Sequence, residues 1–332
     1  MTKNRQILLA SRPTGWPTEA NFKLVETPVP QPAEGQVLVR NHFLSLDPYM
    51  RARMDAVKSY ARSVEVGEVM VGGAVGEVLE SRSPRFAKGD FVVGALGWQE
   101  YAAADAGAVT KVDTKLAPPS VYLGALGMPG VTAWTGLIDI CRPKAGETVV
   151  VSAASGAVGS VVGQLAKAHG CRAVGVAGGA KKCAYVTGEL GFDACIDYKA
   201  GNLHADLKAA TPDGIDVYFD NVGGETLDAA LARMNPFGRV AICGLISQYN
   251  ATEPYGVRNF RSVLVNRLKV QGFIVSDRME LWPQALAELT GLFAQGRLKY
   301  RESVALGLEN APAAFLGMLR GENFGKQVVK LV

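Results

Sequence analysis

Residues 149–160 read VVVSAASGAVGS. A valine-rich strand breaks into a loop of small residues and runs on into a helical pattern. The spacing G-x-G-x-x-G falls on Ala154, Gly156 and Gly159, so an alanine stands at the first position. Small residues between a strand and a helix let backbone approach a phosphate, and the helix N-terminus supplies free N–H groups and the positive end of a dipole. The loop opens a β-α-β unit of about thirty residues, the context in which such a spacing marks a dinucleotide site. The plainer alternative is a tight strand-to-helix turn with no ligand.

The next strand selects the nucleotide. In NAD-binding units an Asp or Glu about twenty residues past the loop bonds the ribose 2′-hydroxyl. Here that strand ends VAGGAKKC, with Gly178 and Gly179 in the acid's place and Lys181 and Lys182 after them. A missing carboxylate removes repulsion against a 2′-phosphate, and a lysine supplies a point charge for it. Two merely solvated lysines would be odd at a helix start, where cations are disfavoured. The expected cofactor is NADP(H).

These residues need a scaffold. The segment 1–125 is rich in short valine runs between Gly, Pro and Asp, such as GQVLVRNHFLSLDP and VMVGGAVGEVLE, which predicts a β domain. From about 130 six apolar strands alternate with helical patterns, among them YGVRNFRSVLVNR after the fifth strand, the grammar of a doubly wound parallel sheet. The long amphipathic MELWPQALAELTGLFAQGRLK then precedes a strand, a helix from about Ala311-Pro312 and a last strand. The fold class is α/β, in two domains, as 332 residues allow.

Hydrophobic residues make up 48% and charged residues 20%, the balance of a soluble globular chain. The net charge of +4, without a Lys/Arg block, argues against nucleic acid. The apolar stretch Ile7–Ala10 is too short for a signal peptide, and no run approaches membrane-spanning length. The expectation is a cytoplasmic chain with no membrane partner. Its five cysteines form no C-x-x-C pair and read as free thiols.

Taken together, LSLDPYMRARM (44–54), LGMPGVTAWTGL (126–137), SAASGAVGSVVGQLAK (152–167), FDNVGG (219–224), CGLISQYN (243–250) and ENFGKQVVK (322–330) carry a resemblance that runs nearly end to end. The chain resembles the zinc-independent, NADPH-dependent alkenal and enone reductases of the medium-chain dehydrogenase/reductase superfamily. These include prostaglandin/leukotriene reductases, plant double-bond reductases and curcumin-reductase-like proteins. The resemblance implies a GroES-like β catalytic domain (1–128 and 306–332) interrupted by a Rossmann NADPH-binding domain (129–305), with the cofactor in the cleft between them and commonly a homodimer.

It also implies roles at matching positions. Gly156, Ala157, Val158 and Gly159 resemble the pyrophosphate loop, and Lys182 the lysine of the 2′-phosphate. The family often has an acid just before that lysine; Lys181 stands there instead and could share the role. Tyr198 resembles an adenosine-phosphate contact and Asn221 a ribose contact. Cys243, Gly244, Leu245, Ile246 and Ser247 resemble the loop along the cofactor. Phe273, Ile274 and Val275 resemble the nicotinamide-side segment, and Asn323 a carboxamide-side contact. Read without the resemblance, Tyr198 is an edge-strand aromatic, Asn221 a turn residue and Asn323 a cap.

A catalytic zinc needs a Cys/His/carboxylate set with an open position. The three histidines, His42, His169 and His204, have no Cys or His partner at ligand spacing, so no metal is expected. Simple carbonyl reduction would then lack a Lewis acid. An activated C=C needs less, because hydride goes to the β-carbon and charge spreads onto an enolate oxygen. By its place in the resemblance, Tyr249 is the candidate donor and substrate contact, since a neutral phenol can donate to developing charge. Tyr49 in DPYM is a candidate wall of the same pocket, and Met50 and Met54 are either adaptable apolar surface or core. The expected substrate is a small α,β-unsaturated ketone or aldehyde. A quinone reductase of the same superfamily, or a non-catalytic NADPH-binding protein, are the alternatives.

Overall fold

The computed structural model describes residues 3–332. The N-terminal segment is β-structure, as its valine runs predict. β1 (Lys3–Leu9) pairs antiparallel with β2 (Phe22–Pro28). β3 (Gln36–Ser45) pairs antiparallel with both β4 (Ala74–Ser81) and β6 (Tyr101–Asp105), and β5 (Phe91–Gly94) bridges β4 to β7 (Val109–Lys111). A short helix α1 (Tyr49–Arg53) follows β3.

The chain then enters a unit spanning Gly124–Arg301, beginning with α2 (Met128–Trp134). Its strands are β8 (Thr148–Ser152), β9 (Arg172–Ala177), β10 (Ala194–Asp197), β11 (Ile215–Asp220), β12 (Met234–Ile242) and β13 (Lys269–Gly272). All pair in parallel, in the order β10-β9-β8-β11-β12-β13. The sequence runs outward from β8 in both directions, so the topological switch lies between β8 and β11, where doubly wound sheets bind ligands at their carboxyl ends. Val149, Val150 and Val151 are wholly buried, as a central strand covered on both faces requires. Between strands lie α3 (Gly159–Ala168), α4 (Ala180–Gly188), α5 (Leu203–Ala210), α6 (Gly224–Leu231) and α7 (Arg261–Val265), and α8 (Trp282–Ala294) follows β13.

The helix expected over YGVRNFRSVLVNR shrinks to the five residues of α7. Asp228 accepts from the N–H groups of Arg258 and Asn259, both at 2.9 Å, which holds the chain ahead of the helix, and Arg267 ends it in the left-handed region.

The tail rejoins the first unit, which comprises Met1–Leu123 and Glu302–Val332. β14 (Glu302–Leu306) lies parallel to β15 (Lys326–Lys330), and β15 pairs antiparallel with β3, giving a seven-stranded mixed sheet with α9 (Ala311–Leu319) between its last two strands. Because β14 is already part of this sheet, the chain leaves the second unit at Arg301, earlier than the expected boundary at 306. Phe22 stacks on Trp98 with ring centroids 5.7 Å apart, and Phe315 packs edge-on against both. Met50 and Met54 are fully buried in this core, so they are filling and not adaptable surface. Among the described residues no helix is long and apolar enough to cross a membrane.

Candidate functional site

The loop after β8 answers the alanine at position 154. The Ala154 methyl is buried, and it occupies space that opens because Gly175 on neighbouring β9 has no side chain; a Cβ there would stand 2.6 Å from the Ala154 Cβ. Gly159 is tighter. A Cβ on it would lie 2.9 Å from both the Ala153 carbonyl carbon and the Ala154 Cα, and nearer still to the Ala153 oxygen. Only glycine lets α3 begin this close to the strand end. Val158 caps that helix without a side-chain hydrogen bond; in the first turn Ser160 N–H donates to the Gly156 carbonyl and Val161 N–H to the Val158 carbonyl, both at 3.0 Å, so the N–H groups left for an anion are those ahead of them, from Ala157 to Gly159.

At the ends of β9 and β10 a second cluster forms. A Cβ on Gly178 would meet the Tyr198 ring at 2.9 Å and the Lys199 Cε at 3.1 Å, so the absent acid is replaced by space that these side chains close in on. Asp197 Oδ1 accepts from the N–H groups of Gly179 (2.7 Å) and Lys199 (3.0 Å), which ties the two strand ends together. Lys182 is half-buried on α4, and burial, then the charge of Lys199, pull its ammonium below the usual lysine range. Lys181 is exposed on the same turn. A half-buried cation beside a second cation is an arrangement that an anion relieves. Glycine where an acid would repel, with Lys199 beside it and Lys182 within reach of the Lys199 charge, fits a 2′-phosphorylated dinucleotide and not its unphosphorylated counterpart.

The ends of β11 and β12 form the third part. Asp220 is fully buried and accepts from Ser152 Oγ (3.0 Å), Tyr218 OH (2.9 Å), Val222 N–H (3.0 Å) and Gly223 N–H (3.1 Å). Burial nevertheless raises its carboxyl above the usual range. Asn221 donates its side-chain amide to the Ser152 carbonyl at 2.8 Å, so that end of the side chain is committed to the sheet. The Cys243–Ser247 segment is laid against this turn. Cys243 and Gly244 N–H donate to the Asp220 carbonyl, Ile246 N–H to Asn221 and Ser247 N–H to Val222. Burial pushes the Cys243 thiol up to about 12, so it is no nucleophile at neutral pH. Tyr249 folds back over the loop, its hydroxyl accepting from Leu245 N–H at 3.3 Å beside Gly244. That bond uses a lone pair of the phenol and not its proton.

At the end of β13 the Phe273 ring turns into the unit, edge-on to Phe219 at 6.2 Å, while the Ile274 and Val275 carbonyls accept from Asp277 N–H and Trp282 Nε1. The sequence candidates of this unit thus stand at the carboxyl ends of its parallel strands. Tyr49 and Asn323 belong to the other unit. There β15 runs beside β3, with Leu46 N–H donating to Gln327 O at 3.1 Å, so the segments carrying both residues leave one end of that sheet. Asn323 donates to the Gly325 carbonyl at 2.8 Å, a turn contact. Burial, then Asp47, raise the Tyr49 phenol above its ordinary range.

Lys199, Ser152 and Asp220 were not among the sequence candidates. Lys199 sits beside Tyr198 in DYK, which is the one local signal for it. The partners of Asp220 come from two strands and a turn, and no spacing announces them. Among the described residues no three His, Cys, Asp or Glu side chains gather as a metal site.

Family models match twice: "N-terminal domain of oxidoreductase" over residues 5–112 and "Zinc-binding dehydrogenase" over residues 157–291. The chain is 48% identical to the NADPH-dependent curcumin reductase of Escherichia coli, covering 99% of this chain and 97% of the relative. It is 45% identical to the NADP(+)-dependent 2-alkenal reductase of Nicotiana tabacum, covering 98% and 97%. Among solved structures, CurA of Vibrio vulnificus in complex with NADPH matches with a TM-score of 0.94 at 48% identity, covering 99% of each chain. With these relatives and this carboxyl-edge site, the chain belongs to the zinc-independent, NADPH-dependent enone and alkenal reductases of the medium-chain dehydrogenase/reductase superfamily.

Proposed function

We propose that this chain reduces the C=C bond of α,β-unsaturated ketones and aldehydes with NADPH, without a metal. The observation that carries the cofactor reading is the Gly178 cluster, where Tyr198 and Lys199 close in on the place of the missing acid and Lys182 lies within reach of the Lys199 charge. NADPH supplies the hydride for the β-carbon. The chain's residues hold and polarise. The Gly156–Gly159 loop at the start of α3 takes the pyrophosphate, Lys182 and Tyr198 the 2′-phosphate end, and Asn221 the ribose. The Cys243–Ser247 loop, Phe273–Val275 and Asn323 complete the cofactor contacts. As charge gathers on the substrate oxygen, the Tyr249 hydroxyl donates a hydrogen bond to it, and Tyr49 walls the pocket.

NADPH consumption with a medium-chain enone, against a quinone and with NADH as control, tests the activity. Tyr249→Phe should lower the enone kcat about tenfold, the worth of one neutral hydrogen bond, with cofactor affinity and quinone rate unchanged. Equal enone rates in the two proteins would reduce Tyr249 to packing.

Lys182→Ala should weaken NADPH binding about ten- to hundredfold, the range of a hydrogen bond to a charged group, and leave NADH binding alone; Lys181→Ala should leave both unchanged. The pH dependence has a definite sign. The free protein's Lys182 already loses its proton below the usual lysine range. A bound 2′-phosphate restores that proton, so NADPH affinity should fall on the alkaline side while NADH affinity stays level. Isothermal titration across that range measures both.

The same reading extends to a homodimer. β13 is the edge of its sheet, and Val270 on it is 42% exposed. Leu264 on the preceding helix is 79% exposed. An unpaired edge flanked by apolar side chains invites a second copy. Leu264→Asp should shift the mass read by light scattering toward a single chain. The free thiols support the cytoplasmic reading.

A further inference from the structure

Two thiols lie next to the Gly178 cluster, and nothing in the reduction uses them. Cys183 follows Lys182 on α4, and Cys195 lies on β10, two residues before Asp197. Both are free and half-buried, and their Sγ atoms stand 3.1 Å apart. A disulfide has its sulfurs about 2.05 Å apart, so closing this pair takes about 1 Å of movement shared between a helix and a strand end. β10 is held by its ladder with β9, in which Cys195 pairs with Gly175, and Asp197 binds Gly179 N–H just ahead of α4. Closing the pair therefore pulls the first turn of α4 against that anchor, and this turn carries Lys182.

We propose that Cys183 and Cys195 form a reversible disulfide site, oxidised by hydroperoxides, and that the bond weakens NADPH binding by displacing Lys182. The second half rests on the reading that Lys182 holds the 2′-phosphate. The chemistry runs in two steps. The Cys183 sulfur attacks the peroxide oxygen, the O–O bond breaks, and sulfenic acid and an alcohol form. The Cys195 sulfur then attacks the Cys183 sulfur, and the sulfenic oxygen leaves as water with the Cys195 proton. Two thiols lose two hydrogens, and one hydroperoxide becomes one alcohol and one water.

Cys183 is the first to react. Cys195 donates its S–H to the Cys183 sulfur, which favours a thiolate there, while burial pushes Cys195 the further up of the two. Burial raises both thiols, so the first step is slow beside that of an exposed, activated thiol. The second step is intramolecular, between sulfurs already in contact.

The test treats the reduced full chain with hydrogen peroxide, then measures a peptide map and the dissociation constants for NADPH and NADH. The expected result is a linkage between the Cys183 and Cys195 peptides and an NADPH constant raised about tenfold, the factor of one displaced charged contact. The NADH constant should not change, dithiothreitol should reverse the effect, and Cys195→Ser should not show it. Absence of the linkage overturns the site. A linkage that leaves NADPH binding unchanged, or weakens both cofactors alike, overturns the coupling to Lys182. A reduced chain that does not distinguish NADPH from NADH overturns the cofactor reading and the coupling with it, while the peptide map still decides the bond.

Discussion

Asp220→Ala is expected to destabilise the Gly124–Arg301 unit by about 3–5 kcal/mol, the loss seen when one partner of a buried charged network is removed. The carboxylate accepts from Ser152, Tyr218, Val222 and Gly223, and all four donors would be left facing a void. The loss is functional as well as structural. Ser152 also takes the Asn221 N–H at 2.8 Å, so the turn that presents Asn221 depends on the same network. Thermal unfolding followed by fluorescence should give a lowered midpoint, and hydrogen exchange should rise in β8 and β11 first. An unchanged midpoint would mean that water replaces the carboxylate without cost.

Gly159→Val is expected to weaken NADPH and NADH alike by more than about 10²-fold, the factor attached to an ångström of misplacement in a site. The added carbons would overlap the Ala153 and Ala154 backbone, and no side-chain rotation relieves a clash with main chain. Gly156→Ala is the control. Its Cβ would meet only the Ala153 oxygen, at 3.1 Å, which a small shift accommodates. The equal loss of both cofactors separates this variant from Lys182→Ala, which should affect only the phosphorylated one. Fluorescence titration with the two nucleotides measures the difference.

The strand and helix alternation after residue 130 was legible because covered parallel strands are written as unbroken apolar runs, such as the valines before Ser152. The loop at Gly156–Gly159 was legible because its spacing is local. Lys199 was not, because it meets Gly178 only after β10 has paired with β9. The Asp220 network was not, because a buried acid looks like a solvated one in a string of letters. The brevity of α7 escaped because the side chain that restrains its approach, Asp228, lies about thirty residues upstream on α6. The alanine at 154 was read as a substitute at a tight turn. Its compensation is a glycine on the neighbouring strand, a pairing that periodicity cannot announce.

The return of the tail to the first sheet bears on how the molecule is made. Lys326 Nζ bonds the Leu46 carbonyl across 280 residues of sequence, and β15 is what pairs the Phe43–Ser45 end of β3, beyond the Gln36–Arg40 part that β6 pairs. On a ribosome moving at about 5–20 residues per second, β3 waits on the order of tens of seconds for that partner. The Gly124–Arg301 segment is contiguous and can fold while the wait lasts. The nascent chain therefore carries a finished domain behind a strand whose last residues are still unpaired on one side, and it is in that interval that a chaperone or a neighbouring nascent copy would find them.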